Sequence, residues 1–585
     1  MAYFRVDTQA LENTMSKLSK IKKHMDSIQQ DMSTITSCLA WEIKGQQQLD
    51  KKLSQLQSDF DALKASLTRA EDCLAKVKNE YIDAPIDAKK ELNDLPVNVS
   101  GTSLLSAAAA IGSTVISKML GIAPDNCQYA GDPVNVTTGS FYINAKDLEM
   151  PDLSGYFKIE RKYSSINKRS GLLGAGWTFD LDSRLFMDGE TVTVLCPDGH
   201  TESYDRDGGS WRNTKGGSLA FTLSYDDEKT QWVMADTRQK KKYIYNAAGR
   251  LVEITDRNGN STRIGYQNDM IYKAETSSNH VIRFTCSDGR IIYIEDELGR
   301  KLQYKYDDGR LTEVIDTEGG VTRYGYDSQG YISEVTDQNN NTYIKNRYDS
   351  TGRVIYQEYA NGETCSISYD DEGRQTVFEY SPEKRRQIYQ YNEDYLVTRV
   401  VYEDGSFEEY GYDQYQNKTS VRDRNGNITS RQYDIYGNIL REELPNGLVT
   451  EYRYDQTLNP VEQSDNNGGM SRFTYDANGN LVMYGRKVSD DDTWQTTVYE
   501  YDRYGRIIRV TDPMGNIRSF SYEDGDKLLR TPHEIKDSEG NIFRYEYDRV
   551  GRNTALITDF GRVEYTLDTR GQAIRIRDAL GNITR

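Results

Sequence analysis

The sequence has few of the residues from which most active sites are built. Its 585 residues include only four histidines and six cysteines: His24, His200, His280, His533, Cys38, Cys73, Cys127, Cys196, Cys286 and Cys365. The histidines stand in unrelated contexts, so their spacing forms neither a catalytic triad nor a zinc motif. The cysteines form no close pairs, which argues against a metal knuckle or a disulfide framework. We therefore predict a protein that is not an enzyme and has no cofactor and no metal site.

Apolar residues and positive charge are also scarce. Hydrophobic residues make up only 36% of the chain, a low share that in a long chain favours disorder, but 44 tyrosines can supply the missing packing surface. The formal net charge is -18 and the pI is near 5. Because phosphate binding needs clustered lysine and arginine, this balance argues against nucleic acid as a partner. Residues 1–22 lack the apolar stretch of a cleavable signal, so export would need another address.

What the sequence has in abundance is a repeat. A tyrosine returns at a constant interval at Tyr391, Tyr412, Tyr433, Tyr454 and Tyr475, and with small insertions the same period extends in both directions. A fixed period of about 21 residues indicates one supersecondary unit stacked many times, because a single unit cannot bury its own apolar face.

Each unit contains two turn motifs separated by short β-prone stretches. The full pattern is Tyr-Asp-x-x-Gly-Arg/Asn, then β-branched residues, then Asp-x-x-Gly-Asn, as in residues 501–516. Glycine permits a positive φ at each turn, and aspartate or asparagine can bond the backbone two residues on. The pattern predicts a long antiparallel sheet of roughly 16 units. The acidic turns also resemble calcium loops, but they lack the further ligands of an EF-hand, so we predict turn-forming aspartates and leave calcium binding open.

The repeat positions are the candidate site residues, and we predict a structural role for them. They are Tyr326, Asp327, Tyr412, Asp413, Tyr433, Asp434, Gly437, Tyr454, Asp455, Tyr475, Asp476, Gly479, Tyr501, Asp502 and Gly505.

The first 92 residues follow a different, helical period. Apolar residues recur in steps of three and four along two runs that Trp41 to Gly45 interrupts. This heptad pattern predicts an α-helical hairpin about 45 Å long, from some 30 residues per arm at ~1.5 Å each. A plain dimerising coiled coil is the alternative.

Two segments separate this hairpin from the repeats. Residues 93–126 are rich in serine, alanine and glycine, and their polar residues favour a linker over a membrane span. Residues 127–240 are β-patterned but lie outside the repeat period. The predicted domains are therefore 1–92, a helical leader; 93–126, a linker; 127–240, a β-rich domain; and 241–585, the repeat array, which ends in the middle of a unit.

Three sets of motifs resemble parts of bacterial polymorphic toxins. The Tyr-Asp units resemble the YD repeats of Rhs, teneurin and wall-associated proteins. Residues 131–139 and 174–177 resemble the domain that precedes Rhs repeats. The interrupted hairpin, with Trp41 and Gly45 as candidate secretion-turn residues, resembles the WXG/LXG class of type VII secretion substrates. The resemblance implies a mainly β protein: a helical hairpin followed by a spiralling antiparallel YD-repeat shell.

The resemblance also implies a function. It predicts a non-enzymatic secretion and encapsulation scaffold of an Rhs-type toxin used in interbacterial competition, whose shell sequesters a C-terminal toxin absent from this chain. The chain would then be a fragment or a truncated gene product. Its expected partners are the secretion machinery or a helical chaperone, through the hairpin, and the toxin cargo. Its expected location is secreted or at the cell surface, by a leaderless route. The alternative is an extracellular adhesion protein that binds cell-wall carbohydrate.

Overall fold

The computed structural model describes residues 128–584 except 168, 197–200, 209, 214–219, 489–492, 524 and 526–527. All of these residues belong to one compact unit, Gly112–Arg585. The helical hairpin predicted for residues 1–92 and the linker predicted for residues 93–126 lie outside the described residues.

Eleven short strands precede the main sheet and form four small antiparallel sheets, β1-β2, β3-β4-β7, β5-β6 and β8-β9-β10-β11. Their bounds are β1 Tyr129–Ala130, β2 Val134–Asn135, β3 Tyr142–Asp152, β4 Gly155–Ser164, β5 Ser170–Gly171, β6 Gly174–Ala175, β7 Trp177–Phe179, β8 Arg184–Asp188, β9 Thr191–Leu195, β10 Thr201–Asp207 and β11 Ser210–Asn213. We call these eleven strands and the turns between them the cap.

The other strands form one sheet of 35 strands, each paired antiparallel with its neighbours in sequence. Their bounds are β12 Phe221–Asp226, β13 Gln231–Asp236, β14 Lys241–Asn246, β15 Leu251–Thr255, β16 Ser261–Gln267, β17 Met270–Thr276, β18 Val281–Ser287, β19 Arg290–Glu295, β20 Lys301–Asp307, β21 Arg310–Ile315, β22 Val321–Tyr326, β23 Ile332–Thr336, β24 Thr342–Tyr348, β25 Val354–Tyr359, β26 Thr364–Asp370, β27 Gln375–Ser381, β28 Arg386–Tyr391, β29 Val397–Tyr402, β30 Phe407–Tyr412, β31 Lys418–Arg422, β32 Ile428–Tyr433, β33 Ile439–Glu443, β34 Val449–Tyr454, β35 Pro460–Asp465, β36 Met470–Tyr475, β37 Leu481–Lys487, β38 Trp494–Tyr501, β39 Ile507–Thr511, β40 Ile517–Ser521, β41 Glu534–Lys536, β42 Ile542–Tyr547, β43 Asn553–Thr558, β44 Gly561–Leu567, β45 Ala573–Arg577 and β46 Ile583–Thr584.

The described part of the chain is therefore mainly β, which confirms the predicted spiralling antiparallel sheet. Each repeat unit supplies two strands and two turns. The sheet begins at β12, within the segment that we predicted to precede the array. No helix among the described residues is long and apolar enough to cross a membrane.

Alternation along the strands gives the sheet two different faces. In β20, Leu302 and Tyr304 are buried, whereas Lys301 and Lys305 on the other face are exposed. Successive side chains of a strand point to opposite faces, so every second residue faces inward. The tyrosines of the repeat lie at the strand ends, next to the turns.

A β-bulge precedes most of the repeat tyrosines. In β22 and β23, Gly325 pairs with Glu334 but Tyr326 pairs with Ile332, so Ser333 has no partner opposite it. The same shift occurs before Tyr245, Tyr266, Tyr306, Tyr348, Tyr391, Tyr412, Tyr433, Tyr454, Tyr475, Tyr501 and Tyr547. Because a bulge bends the strand and increases its twist, a bulge repeated in most units curves the sheet continuously.

The curvature winds the sheet past its own beginning. The loop with Lys240, before β14, contacts the loop with Thr457, before β35, which lies 21 strands later. At about 4.8 Å between strands, 21 strands give a circumference of ~100 Å and a diameter of ~30 Å. We call the strands of this sheet up to β34 the first winding and the strands from β35 onward the second winding.

Candidate functional site

The repeat tyrosines join neighbouring strands on one long side of the sheet, where these strands end in turns. We call this side the tyrosine edge and the other side the opposite edge. The hydroxyl of Tyr454 donates to the carbonyl of Ile439, 15 residues earlier, at 2.8 Å. The same bond, at 2.6 to 2.9 Å, is made by Tyr266, Tyr306, Tyr326, Tyr369, Tyr412, Tyr433, Tyr475, Tyr522 and Tyr547. Each bond links the end of one strand to the start of the preceding strand. Burial accordingly raises the pKa of Tyr266 and of Tyr522 to about 12.

The aspartate that follows each tyrosine organises the turn. Oδ1 of Asp434 accepts the backbone N–H groups of Tyr436 and Asn438 at 2.9 Å, and Oδ2 accepts the side-chain amide of Asn438 at 2.9 Å. Asp413, Asp455, Asp476 and Asp502 make the same set of bonds, and in the last the partner of Oδ2 is an arginine. Asp327 has only the two backbone bonds.

These hydrogen bonds favour the ionised carboxylate. Partial burial opposes the charge of Asp349, but hydrogen bonds from Thr351 and Arg353 outweigh it and lower the pKa of Asp349 to about 2. The glycines of the turns adopt the expected positive φ, 83° at Gly437, 84° at Gly479 and 78° at Gly505. The structure thus places the predicted tyrosines, aspartates and glycines together along the tyrosine edge. Trp41 and Gly45 lie outside the described residues.

No group of three or more histidine, cysteine, aspartate or glutamate side chains that could hold a metal occurs in the part of the chain that the structure describes. The turn carboxylates instead accept N–H groups of their own turns.

The two windings meet along a seam, in which the opposite edge of the first winding faces the tyrosine edge of the second. Arg300 donates to the carbonyl of Thr569 at 2.8 Å, and Arg570 pairs with Asp316 at 3.0 Å. Further seam bonds join Arg257 to the carbonyl of Gly479, Asn480 to Asn258, and Asn260 to the carbonyl of Tyr504. The partners lie 222 to 269 residues apart in sequence, so the repeat turns also close the wall of the shell.

The tyrosine edge of the first winding faces the cap instead. Main-chain bonds of 2.8 to 2.9 Å run from Leu185 to Gly249, from Ile291 to Leu172, and from Val354 to Gly139. The hydroxyl of Tyr163 accepts the N–H of Ile332, and the indole N–H of Trp177 donates to the hydroxyl of Tyr326. The cap therefore bonds to polar groups of this edge. In the second winding, the corresponding edge bonds to the first winding instead.

The cap also reaches across the inner face of the sheet. Arg161 of β4 forms a buried ion pair with Asp147 at 2.8 Å, and the two side chains are only 4% and 6% exposed. Tyr304 donates to Asp147 at 2.8 Å, and Tyr324 accepts a hydrogen bond from Arg161. Burial is the largest single influence and disfavours the charged guanidinium, but the Asp147 carboxylate and the neighbouring Tyr324 and Tyr304 together outweigh it and raise the pKa of Arg161. Trp177 completes this cluster, because its ring centroid lies 5.1 Å from the guanidinium carbon of Arg161.

Tyr304 and Tyr324 belong to an inner row that the sequence analysis missed. They stand two residues before a repeat tyrosine, and the alternation of a strand puts this position on the same face. The row contains Tyr243, Ile264, Phe284, Tyr304, Tyr324, Asn346, Ile367, Tyr389, Tyr410, Arg431, Tyr452, Phe473, Tyr499, Phe520, Tyr545 and Tyr565. Counting back from each repeat tyrosine would have found it.

The cap covers only part of this inner row. In the first winding Phe284, Tyr304 and Tyr324 are buried, and Phe284 lies against Phe179 of the cap. In the second winding Tyr499 and Tyr545 are only partly buried, as is Tyr452 at the end of the first winding. The arrangement is thus a curved wall with an aromatic inner surface, closed by the cap at one edge.

Two family models match segments of this chain. Residues 131–204 match the family model described as "Domain of unknown function (DUF6531)", and residues 227–339 match the model described as "Teneurin YD-shell". The first match falls in the cap and the second in the first winding.

Three curated relatives are toxins or nucleases by name. The tRNA nuclease WapA of Bacillus subtilis is 27% identical over 299 residues, which are 50% of this chain and 12% of that protein. The toxin protein Tse5 of Pseudomonas aeruginosa is 36% identical over 94 residues, 15% of this chain and 7% of that protein. The probable deoxyribonuclease RhsB of Dickeya dadantii is 32% identical over 87 residues, 14% of this chain and 6% of that protein. The chain spans 12% or less of the length of these relatives.

Among solved structures, the TcdB2-TccC3-Cdc42 crystal structure is similar, with 16% identity and a TM-score of 0.44. The similarity covers 72% of this chain and 24% of that chain.

Proposed function

The chain is an Rhs/YD-repeat protein, and we propose that it acts as a non-enzymatic encapsulation scaffold of an Rhs-type polymorphic toxin used in interbacterial competition. In this role its shell holds a toxic polypeptide away from the cell that produces it. The cargo is a segment other than the repeats and the cap.

One observation carries the proposal: the repeat sheet curves past its own beginning, and hydrogen bonds join its two windings. The seam bonds of Arg257 and Arg300 join the windings, and the cap covers the first tyrosine edge. A diameter of ~30 Å between strand backbones would leave a lumen about 20 Å wide where the cap does not reach, after ~5 Å of side chain on each side, from sheets that pack ~10 Å apart. Such a lumen has room for a polypeptide chain.

The chemistry of the wall supports a scaffold role. The repeat tyrosines donate their hydroxyls to main-chain carbonyls, and the turn aspartates accept N–H groups of the same turns. The repeat tyrosines and the turn aspartates therefore hold the wall together. The names of the relatives, two nucleases and a toxin, favour a toxic cargo, and the portions that match this chain are small parts of those proteins.

The remaining roles form part of the proposal. The region of residues 1–92, with Trp41 and Gly45 at its predicted turn, would engage secretion machinery or a helical chaperone. Export to the outside or to the cell surface would then follow a leaderless route. The alternative, carbohydrate binding by a tyrosine-rich face, is less favoured because the repeat tyrosines point inward and bond the main chain, whereas a stacking platform needs open rings.

Protease protection tests the encapsulation role. A small protease-sensitive reporter would be fused after Arg585, and its digestion compared with that of the same reporter alone. We expect the fused reporter to be digested much more slowly, because the wall excludes the protease. A reporter fused before Met1 is the matched control and should be digested at the rate of the isolated reporter. Equal digestion of all three, with the repeat array itself intact, would contradict encapsulation.

A further inference from the structure

We propose that His280, Glu297 and the carbonyl of Pro151 form a pH-operated latch that holds the cap hairpin, β3 and β4, on the shell. This inference concerns the opening of the cap and goes beyond encapsulation itself. It predicts that the hairpin is held firmly in mildly acidic solution and released as the pH rises.

The latch lies at the tip of the cap hairpin. Nε2 of His280 lies 2.9 Å from the carbonyl oxygen of Pro151, and Nδ1 lies 2.7 Å from Oε1 of Glu297. His280 is fully buried, whereas the Glu297 side chain is 19% exposed. His280 and Glu297 lie in two successive turns of the opposite edge of the first winding, so the imidazole connects that edge to the cap.

The two contacts need two protons. A main-chain carbonyl only accepts hydrogen bonds, and so does an ionised carboxylate. The contact to Pro151 therefore requires Nε2–H, and the contact to Glu297 requires a proton between Nδ1 and Oε1. That second proton belongs either to an imidazolium or to a protonated Glu297. In both cases the latch binds one proton more than a neutral histidine beside an ionised glutamate.

Loss of that proton weakens the bond to the cap. An ionised Glu297 keeps the remaining proton on Nδ1, so that Nε2 presents a lone pair to the carbonyl of Pro151. Two acceptors then face each other at a buried site, where an unmade hydrogen bond is costly. Histidine is the side chain that most often changes its charge between pH 5 and 8, so this range tests the latch.

The charges around the imidazole come from both sides of the contact. On the cap side, Asp152 accepts hydrogen bonds from Ser154 and from the N–H of Ser278. Burial opposes its charge, but these hydrogen bonds help to lower the pKa of Asp152, so it stays ionised. On the shell side, Glu297 is followed by Arg300, which pairs with Asp296 at 2.7 Å. The positive Arg530 of the second winding lies beside Gly155 at the hairpin tip.

The latch lies beside contacts that the hairpin tip makes with both windings. Pro151 packs near Gly551 of the second winding, and Leu153 donates its N–H to Ser278 of the first. The hairpin tip thus lies where the cap and both windings meet. Release of the tip would loosen the cap at the point where it bridges the seam.

Hydrogen exchange read by mass spectrometry on the full chain tests the latch. Peptides that cover residues 148–158 and 276–282 would be followed from pH 5.5 to pH 8, with labelling times scaled to the intrinsic exchange rate. The wild type should lose about tenfold in protection over this range, the effect of one net hydrogen bond. Glu297→Gln is the informative variant, because an amide can donate to Nδ1 and leave Nε2–H for Pro151.

The variants separate the latch from other titrations of the cap. Glu297→Gln should keep its protection at pH 8, whereas His280→Ala should show low protection already at pH 5.5. Asp182 also titrates in the cap, but its effect would persist in Glu297→Gln. A wild type without the loss, or the same loss in Glu297→Gln, would overturn the proposal.

Discussion

Replacing Arg300 by asparagine should open the seam between the windings without breaking the turn that Arg300 belongs to. Arg300 occupies the last position of an Asp-x-x-Gly-Arg turn, where many units have asparagine instead. Its Nε donates to Asp296 at 2.7 Å, and a second nitrogen donates to the carbonyl of Thr569 at 2.8 Å. Asparagine can replace the first bond, as Asn438 does with Asp434, but is too short to reach across the seam.

The size of the effect follows from the surroundings of the lost bond. Hydrogen bonds to charged groups contribute about 1.5 to 3 kcal/mol, and Arg300 is only 5% exposed, so solvent screens this bond little. The carbonyl of Thr569 also accepts a bond from Arg552 at 3.1 Å and would not be left without a donor. We therefore expect the lower end of the range, about 1.5 kcal/mol, which is roughly a tenfold change in the opening equilibrium.

Hydrogen exchange of the peptide that covers residues 566–572 measures this opening. The N–H of Thr569 donates to Glu318 of the first winding, so it exchanges when the seam opens. Arg353→Asn is the matched control, because Arg353 has the same turn position but reaches Asp371 of its own winding. The seam assignment fails if Arg300→Asn leaves this peptide as protected as in the wild type, or if Arg353→Asn exposes it equally.

Two further predictions concern the repeat bond and the cap. Tyr454→Phe removes the hydroxyl that donates to Ile439 and should cost about 1 kcal/mol of local stability, seen as faster exchange of residues 439–454; unchanged exchange would mean that the bond is not stabilising. Burial raises the pKa of Asp182 to about 7, so the folded protein keeps a proton that the unfolded chain releases near pH 4. The stability that this proton contributes, up to roughly 4 kcal/mol, is complete below about pH 4 and is lost as the pH rises through 7. Asp182→Asn should therefore flatten the thermal stability between pH 5 and pH 8, and a profile as steep as that of the wild type would refute this.

Local chemistry explains why so much of the wall could be predicted from the sequence. The repeat period, the Asp-x-x-Gly turns and the β-prone segments each describe contacts between residues close in sequence. The side chain of Asp434, for example, bonds to residues two and four positions later. Such contacts recur in every unit, so their residue pattern appears many times in the sequence. Two features of the same kind were nevertheless missed, the inner row and the bulge before most of the repeat tyrosines.

The partners of the turns across the seam could not be predicted in this way. Arg300 and Asn541 end turns of the same pattern, yet Arg300 is buried against Thr569 and Asn541 is exposed. The difference depends on which turns come to lie side by side after one full winding. That position is the sum of many small twists and bulges along the sheet. Likewise, nothing near His280 in the sequence indicates that it meets the cap.

The sequence by itself thus determined the unit: its strands, its turns, and the tyrosines and aspartates that hold them, because these interactions are local and repeated. Only the tertiary structure decided how the units enclose a space, which turns form the seam, and how the cap meets the first winding at Arg161 and His280. Those contacts join residues more than a hundred positions apart, and their geometry depends on the summed curvature of the sheet rather than on any single motif.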